Sequence, residues 1–463
     1  MKKRLYAMLI ILVLVFPHTV FAEANTAEGP TLSVDGMPIS MHAAVKAGGL
    51  FLPLRAVSEA LGFSVGWSPA EKTIDIQKQE KSLLLSLKEA KIQSNGHEYL
   101  MRNIPFMLEG RTYMSSEFFS EEYGLMVKWD IEEDRVSLSS IQHNSLTFSN
   151  GTLTSSNPQE LDTTIQYPVI RGLENPSVED QINSTFKALA EQALKEGEKN
   201  AADLAPYLEQ NPDISWKCKV YFDYQIKYCR NGLLSMVFQN YQYAGGAHGS
   251  TVQTAYTFDL STGKQLQLGD LFKTDAGYVA MISDQVYAQL KDRGLLSALY
   301  GKFERIRPDH SFYLTDDGVS VFYQQYEIMP YAAGIQEFST NFEQLDELLA
   351  TPELYQPVYI MPDDPGRAWP VIQTGSLFNL SLKGNPTTGY TWHHSIENTD
   401  VASVVSEEAI SDSDLLGAGS IFSWTLKALS PGNTRIIFKY YRDWEGESST
   451  TSENTVIYNI TIE

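Results

Sequence analysis

Three short segments near the C-terminus carry the residue types best suited to chemistry: Asn385-Pro-Thr-Thr-Gly-Tyr390, Gly417-Ala-Gly419 and Arg442-Asp-Trp444. None pairs a nucleophile with a base, so the chemistry they suit is recognition. Pro386 fixes φ and Gly389 supplies a tight exit, so the Thr387-Thr388 tip is presented already ordered and loses little entropy on docking. Gly417 and Gly419 let the backbone approach a partner closely, while Arg442 and Trp444 offer the large flat contacts that dominate interface energies. A second set of polar residues lies mid-chain, with His248 in Gly245-Gly-Ala-His-Gly249 and Glu327 in Tyr326-Glu-Ile-Met-Pro-Tyr-Ala-Ala-Gly334. A neutral imidazole and a carboxylate among tyrosines orient hydroxyls, which suits a sugar or a partner loop. The alternative is that the glycines form a bulge and His248 bonds the backbone. The 8 histidines are scattered without HxH or HExxH spacing, and there is no phosphate loop or catalytic triad. These patterns point to no metal, no cofactor and no enzymatic activity.

The C-terminal segments need a frame that brings them together. Short alternating runs at 376–383, 390–397, 402–406, 421–429, 435–441 and 455–462, with one more near Val371, make about seven strands spaced as in an immunoglobulin-like sandwich. With antiparallel connections, the loops after the second, fourth and sixth strands fall at one end, and those are the three loops above. In order, spacing and loop position they resemble the chagasin family of cysteine protease inhibitors. The resemblance implies a domain over 367–463 that occludes the cleft of a papain-like cysteine protease, with Asn385, Pro386, Thr387, Thr388, Gly389, Tyr390, Gly417, Gly419, Arg442 and Trp444 as contacts. Asp443 stands where that family has proline, which is expected to loosen the third loop and to alter which enzymes are accepted. The competing reading is a sandwich that only adheres.

Over 30–140 the chain repeats. Phe51, Gly62, Trp67, Ile74 and Ile76 recur as Tyr113, Gly124, Trp129, Val136 and Leu138 at one offset of 62 residues. Each copy reads as a strand, a short helix, a helix-ending glycine and a hairpin, an α+β unit expected to fold as two similar lobes. Phe51-Leu-Pro-Leu-Arg55, Leu61-Gly-Phe63 and Val65-Gly-Trp67 resemble the copper amine oxidase N-terminal module. No oxidase chemistry is expected from it, since Asn240-Tyr241 is followed by Gln242 where that family's motif has an acid.

A Ser/Asn/Thr-rich stretch, 145–158, reads as a linker to an α+β domain over 161–355. There Asn175 and Pro176 start a helix to about Glu198, Arg230-Asn-Gly232 joins two long strands, and 275–299 reads as helical. The Gly-Gly-Ala-His and Tyr-Glu-Ile motifs make this segment similar to the extracytoplasmic domain of lysozyme-sensing anti-sigma factors and to the non-catalytic half of some peptidoglycan deacetylases. Peptidoglycan or lysozyme is therefore an expected partner. Cys218 and Cys229, the only cysteines, are read either as a disulfide or as two separate thiols.

Lys2, Lys3 and Arg4, an apolar run and Val20-Phe21-Ala22 read as a signal peptide over 1–22, shorter than a membrane span. The expectation is a multidomain protein, secreted or wall-associated, with no membrane span after cleavage. With 35 basic against 57 acidic residues the net charge is -22, which disfavours nucleic acid and anionic membranes as partners.

Overall fold

The two halves of the N-terminal repeat do not stand as separate lobes; they interlock around one core. The computed structural model describes residues 29–46, 49–79, 81–94, 97–101, 104–211, 217–360, 372–411, 420–451 and 454–463. Strands β1 (Thr31–Val34), β2 (Met37–Ile39), β3 (Ala44–Lys46) and β4 (Gly49–Pro53) precede helix α1 (Leu54–Ala60) and the hairpin β5 (Ser64–Ser68) to β6 (Thr73–Lys78). After β7 (Lys81–Ser86), β8 (Lys91–Ser94) and β9 (His97–Leu100), the second copy supplies β10 (Phe106–Leu108), β11 (Arg111–Ser115), α2 (Ser116–Tyr123), β12 (Leu125–Asp130) and β13 (Arg135–Ser140). The equivalent strands β4 and β11 pair antiparallel, with Leu52 opposite Met114. β1 crosses over and lies parallel to β13, Val34 beside Leu138. The Asp35 carboxylate fastens this crossing by accepting from the Ser140 amide at 2.6 Å and its hydroxyl at 2.9 Å. Leu52, Val57 and Ile76 from one half and Phe119, Val136 and Leu138 from the other share a single buried cluster. The physical reason is area: a seven- or eight-residue helix on a hairpin leaves an apolar face open, and exchanging strands covers it.

The stretch 145–158 is not merely a linker. It contains β14 (Thr147–Leu153), the edge of a five-stranded sheet completed by β15 (Leu161–Arg171), β16 (Cys218–Arg230), β17 (Leu233–Tyr243) and β18 (Ser250–Asp259). Phe148 and Leu153 pack on the core, and Gly151 leaves room for Tyr167, whose Cζ would lie 2.3 Å from an added Cβ. Polar composition hid a strand whose outer face is solvated. Helix α3 (Pro176–Gln210) covers the sheet; Asn175 caps it by accepting from the Ser177 amide at 3.1 Å. It runs past Glu198 because Val178, Ile182, Phe186, Ala190, Ala193, Gly197 and Ala201 continue one apolar stripe. The β16–β17 hairpin closes through Asn231 (φ 52°) and Gly232 (φ 74°), the two positive dihedrals of a tight turn. A second core lies between helix α4 (Tyr278–Asp292) and the sheet of β19 (Phe312–Leu314), β20 (Gly318–Tyr323) and β21 (Gln336–Asn341). Helix α4 is shorter than the 275–299 stretch, which turns off at Gly294 (φ 68°).

The disulfide reading is corrected. Cys218 and Cys229 sit at opposite ends of one strand, β16, as free buried thiols. Eleven residues of extended chain hold their backbones roughly 35 Å apart, against about 6 Å for a bridge. Burial pushes the Cys229 thiol up to about 12, which keeps it protonated.

The remaining strands are β22 (Val358–Ile360), β23 (Leu377–Gly384), β24 (Thr391–Ile396), β25 (Ala402–Ser411), β26 (Ser420–Ala428), β27 (Gly432–Tyr441) and β28 (Thr455–Ile462). They form two sheets, β22-β23-β26-β25 and β24-β27-β28. Alternate residues Phe378, Leu380, Trp424 and Leu426 of one sheet and Ile436, Phe438, Tyr458 and Ile460 of the other fill the space between. Near the expected first strand, Ile372 makes one bridge to Ile462, while β22 takes the place beside β23 in parallel register. Tyr359 of β22 also bridges Ile141, and Met126 and Ile141 join the sandwich core. The sandwich thus rests on the N-terminal module through the end opposite its long loops.

Candidate functional site

Register fixes which loops meet. Gly384, where β23 ends, pairs with Ser420, where β26 begins, and Ser420 also pairs with Ser411, the end of β25. Across the other sheet Thr391 pairs with Tyr441. The flanks of all three loops therefore lie at one end of the sandwich. Gly417 and Gly419 of the middle loop fall outside the described residues.

The first loop is held by its own turn and by the strands below it. Pro386–Thr388 makes a single 3-10 turn, in which the Thr388 amide and hydroxyl donate to the Asn385 carbonyl at 3.2 and 2.6 Å and the Gly389 amide donates to Pro386 at 2.9 Å. The Tyr440 hydroxyl accepts from the Asn385 amide at 2.6 Å, and the Trp392 indole donates to the Lys383 carbonyl at 3.1 Å. Tyr440 stacks on Tyr390 at 5.2 Å and lies 4.8 Å from Trp392. Gly384 is glycine for space: a Cβ there would meet Phe422 Cε2 at 2.8 Å.

The third loop locks onto the first. Arg442 donates from Nε to the Thr388 carbonyl at 3.1 Å, and its guanidinium lies 4.5 Å from the Tyr390 ring and 5.6 Å from the Trp444 ring. Its Nη1 donates to Glu445 at 3.0 Å, and its carbonyl accepts from the Glu445 and Gly446 amides. Trp444 lies directly over Gly389, where an added Cβ would sit 2.4 Å from Cη2. Gly389 also has φ 82°, so two constraints keep a side chain out. Trp444 nonetheless remains 71% exposed, a large aromatic presented at the tip. Asp443 is not left loose: its Oδ1 lies 3.0 Å from His393 Nε2. Sequence reasoning placed Asn385, Pro386, Gly389, Tyr390, Arg442 and Trp444 together, and missed Tyr440 and His393. Their signal was weak, an aromatic and a histidine on alternating strand positions next to the loops.

In the middle domain, His248 stacks on Tyr331 at 3.8 Å and bonds through Nδ1 to the Gly249 carbonyl at 2.9 Å, an acceptor shared with the Tyr331 hydroxyl at 3.0 Å. The two mid-chain motifs therefore meet, but through Tyr331. Glu327 instead accepts from the Gln324 amide at 2.8 Å and faces Arg307 at 3.6 Å, and no described contact joins it to His248. The backbone-bonded alternative for His248 is the one observed. Sequence marked Arg230 only as part of a hairpin and gave no sign of its buried ion pair. Arg230 is fully buried, donates from Nη2 to the Asp316 and Tyr355 carbonyls at 2.6 and 3.2 Å, and pairs with the Asp316 carboxylate at 3.6 Å. Burial raises the Asp316 carboxyl above its usual range, and Arg230 opposes that shift. Among the described residues no group of three or more His, Cys, Asp or Glu is placed to hold a metal, and no helix is long and apolar enough to cross a membrane.

Comparison with known proteins divides the chain into matched segments. Residues 33–138 match the copper amine oxidase N-terminal domain, 154–251 the deacetylase PdaC family, 269–343 a protein of unknown function (DUF3298), and 371–462 the chagasin family peptidase inhibitors. The peptidoglycan-N-acetylmuramic acid deacetylase PdaC of Bacillus subtilis is 24% identical over 192 residues, 40% of this chain and 38% of that protein. The anti-sigma-V factor RsiV of the same organism is 27% identical over 196 residues, 40% of this chain and 64% of that protein. Amoebiasin-2 of Entamoeba histolytica is 32% identical over 95 residues, 20% of this chain and 76% of that protein. The chain thus spans less than two thirds of the two Bacillus relatives.

Proposed function

We propose that this chain, whose residues 371–462 belong to the chagasin family of peptidase inhibitors, blocks papain-like cysteine proteases without any chemistry of its own. The carrying observation is the lock between loops: with Trp444 seated on Gly389 and Arg442 between Tyr390 and Trp444, the first and third loops form one preorganised wedge. Such a wedge enters a narrow cleft with little entropy to lose, and the enzyme's thiolate meets a backbone turn held out of productive reach. With Ser411 and Ser420, the described flanks of the middle loop, in register with Gly384, three patches are proposed to make up a standard inhibitor interface of about 800 Å² per partner. Asn385, Pro386, Thr387, Thr388, Gly389, Tyr390, Gly417, Gly419, Arg442 and Trp444 are the proposed contacts. Titrating papain with the full chain tests this. Stoichiometric loss of activity is expected, and full activity at micromolar chain would leave an adhesive sandwich in its place.

A second role is proposed for the middle domain, on the strength of its likeness to the peptidoglycan deacetylase and the anti-sigma factor: it holds the protein at the cell envelope by binding peptidoglycan or lysozyme without altering it. Export by the segment 1–22 and a secreted or wall-associated location belong to the same reading. Retention of the full chain on peptidoglycan or immobilised lysozyme, weakened by His248→Ala, is the expected result. Equal wash-through of both proteins would count against it.

A further inference from the structure

We infer that His393 positions the third loop, through a charge pair with Asp443 that grips the loop more firmly as pH falls. This rests on the inhibitory reading above and adds to it a residue and a condition. His393, on β24, stacks on Tyr441 with ring centroids 3.9 Å apart and planes 16° from parallel. Its Nε2 is buried and lies 3.0 Å from Asp443 Oδ1, yet makes no directed hydrogen bond, so the contact is electrostatic and depends on the charge of the ring.

Position gives this pair its leverage. Asp443 sits between Arg442 and Trp444, so whatever holds its carboxylate holds both flat contacts of the wedge. The loop lacks a proline at this point, and the pair supplies a restraint that proline would supply by fixing φ. The charges around the ring are few. Lys439 is opposite His393 in the ladder and donates to Glu447 at 2.6 Å; this bond, and after it the nearby His393, hold the Glu447 carboxyl below its usual range, so the ring faces two carboxylates, of which Glu447 already has a lysine partner. His394 turns to the other sheet, 3.7 Å from Glu407, and does not compete. An imidazole is charged only when protonated, so the restraint is conditional where a proline's is covalent. Because Asp443 is largely exposed, water and salt screen the pair, and its effect on affinity is about threefold rather than a hundredfold.

The test uses the full chain, wild type and Asp443→Asn, with His393→Gln as the reciprocal variant. Inhibition constants for papain are compared at about pH 5.5 and 7.5, as the ratio of variant to wild type so that the enzyme's own pH profile cancels. The ratio should be about threefold at the lower pH, near one at the higher, and near one at both in about 1 M salt. In parallel, hydrogen exchange of the Glu445 and Gly446 amides, both bonded to the Arg442 carbonyl, reads the loop without the enzyme. Faster exchange in Asp443→Asn at the lower pH alone supports the tether; equal exchange, or an inhibition ratio that ignores pH, overturns it. If wild type fails to inhibit at either pH, the inhibitory reading falls, and the exchange result still decides the tether.

Discussion

Replacing Gly389 with alanine separates what holds the wedge from what the wedge binds. Two costs follow from the structure. The first is conformational: φ of 82° lies where an L side chain is strained, and alanine there costs about 1 kcal/mol of folding stability whether or not a protease is bound. The second falls on Trp444, since the new Cβ would stand 2.4 Å from Cη2, more than 1 Å inside the contact distance of about 3.5 to 4.0 Å, so the ring must leave its seat. Losing a central aromatic anchor costs about 2 kcal/mol of binding, close to a thirtyfold rise in Kd. Trp444→Ala alone removes the same anchor and should cost about the same, with little change in thermal midpoint because the ring is mostly exposed. The double variant should therefore lose about 2 kcal/mol of binding and not about 4, a strong departure from additivity. Inhibition of papain by the full-length variants gives the binding arm, and thermal unfolding the stability arm. Losses that simply add would refute the idea that glycine and indole act as one unit.

Other expectations follow from the scaffold. Gly197→Ala, although it raises helix propensity, should destabilise the middle domain by about 1 to 3 kcal/mol in denaturant melts, because the added methyl would lie 2.1 Å from Val220 Cγ2. Glu179 is held below the usual carboxylate range by the Arg171 side chain and by the Leu173 and Gly172 amides. A depressed carboxylate contributes stability that is present above its unfolded value and lost as pH falls through the folded one, so Glu179→Gln should lower the thermal midpoint near pH 7, and the difference from wild type should shrink as pH falls below the ordinary glutamate range. Reducing agent should leave the thermal midpoint unchanged, and thiol titration of unfolded protein should count both cysteines free; a single fall in midpoint on reduction would contradict the separation along β16.

The sandwich was legible because its strands alternate cleanly and its loops carry their own punctuation. Phe378 and Leu380, or Ile436 and Phe438, mark the inner face two residues apart, and register then brings the loop ends together without further information. What failed to show was long-range partnership. Nothing local to Thr31–Val34 says that it will lie parallel to β13, and nothing in Thr147–Leu153, with its serine, asparagine and glycine, separates an edge strand from a linker until Tyr167 is placed over Gly151. Two cysteines flanking a strand-like segment left a bridge and two separate thiols both open, and the continuous strand between them is what keeps them apart. His393 and Asp443 were invisible as a pair for the same reason, being 50 residues apart in sequence and adjacent only once β24 and β27 align.

The crossing of β1 onto β13 sets a timetable for the newborn chain. Synthesis delivers Leu32 and Val34 early, but the strand they pair with is not complete until Leu138 has emerged, 104 residues after Val34. At about 5 to 20 residues per second the wait is roughly 5 to 20 s. Through that interval an apolar strand stands with an open hydrogen-bonding edge, a substrate for a holding chaperone or for another nascent chain, and the module cannot close until its second half arrives.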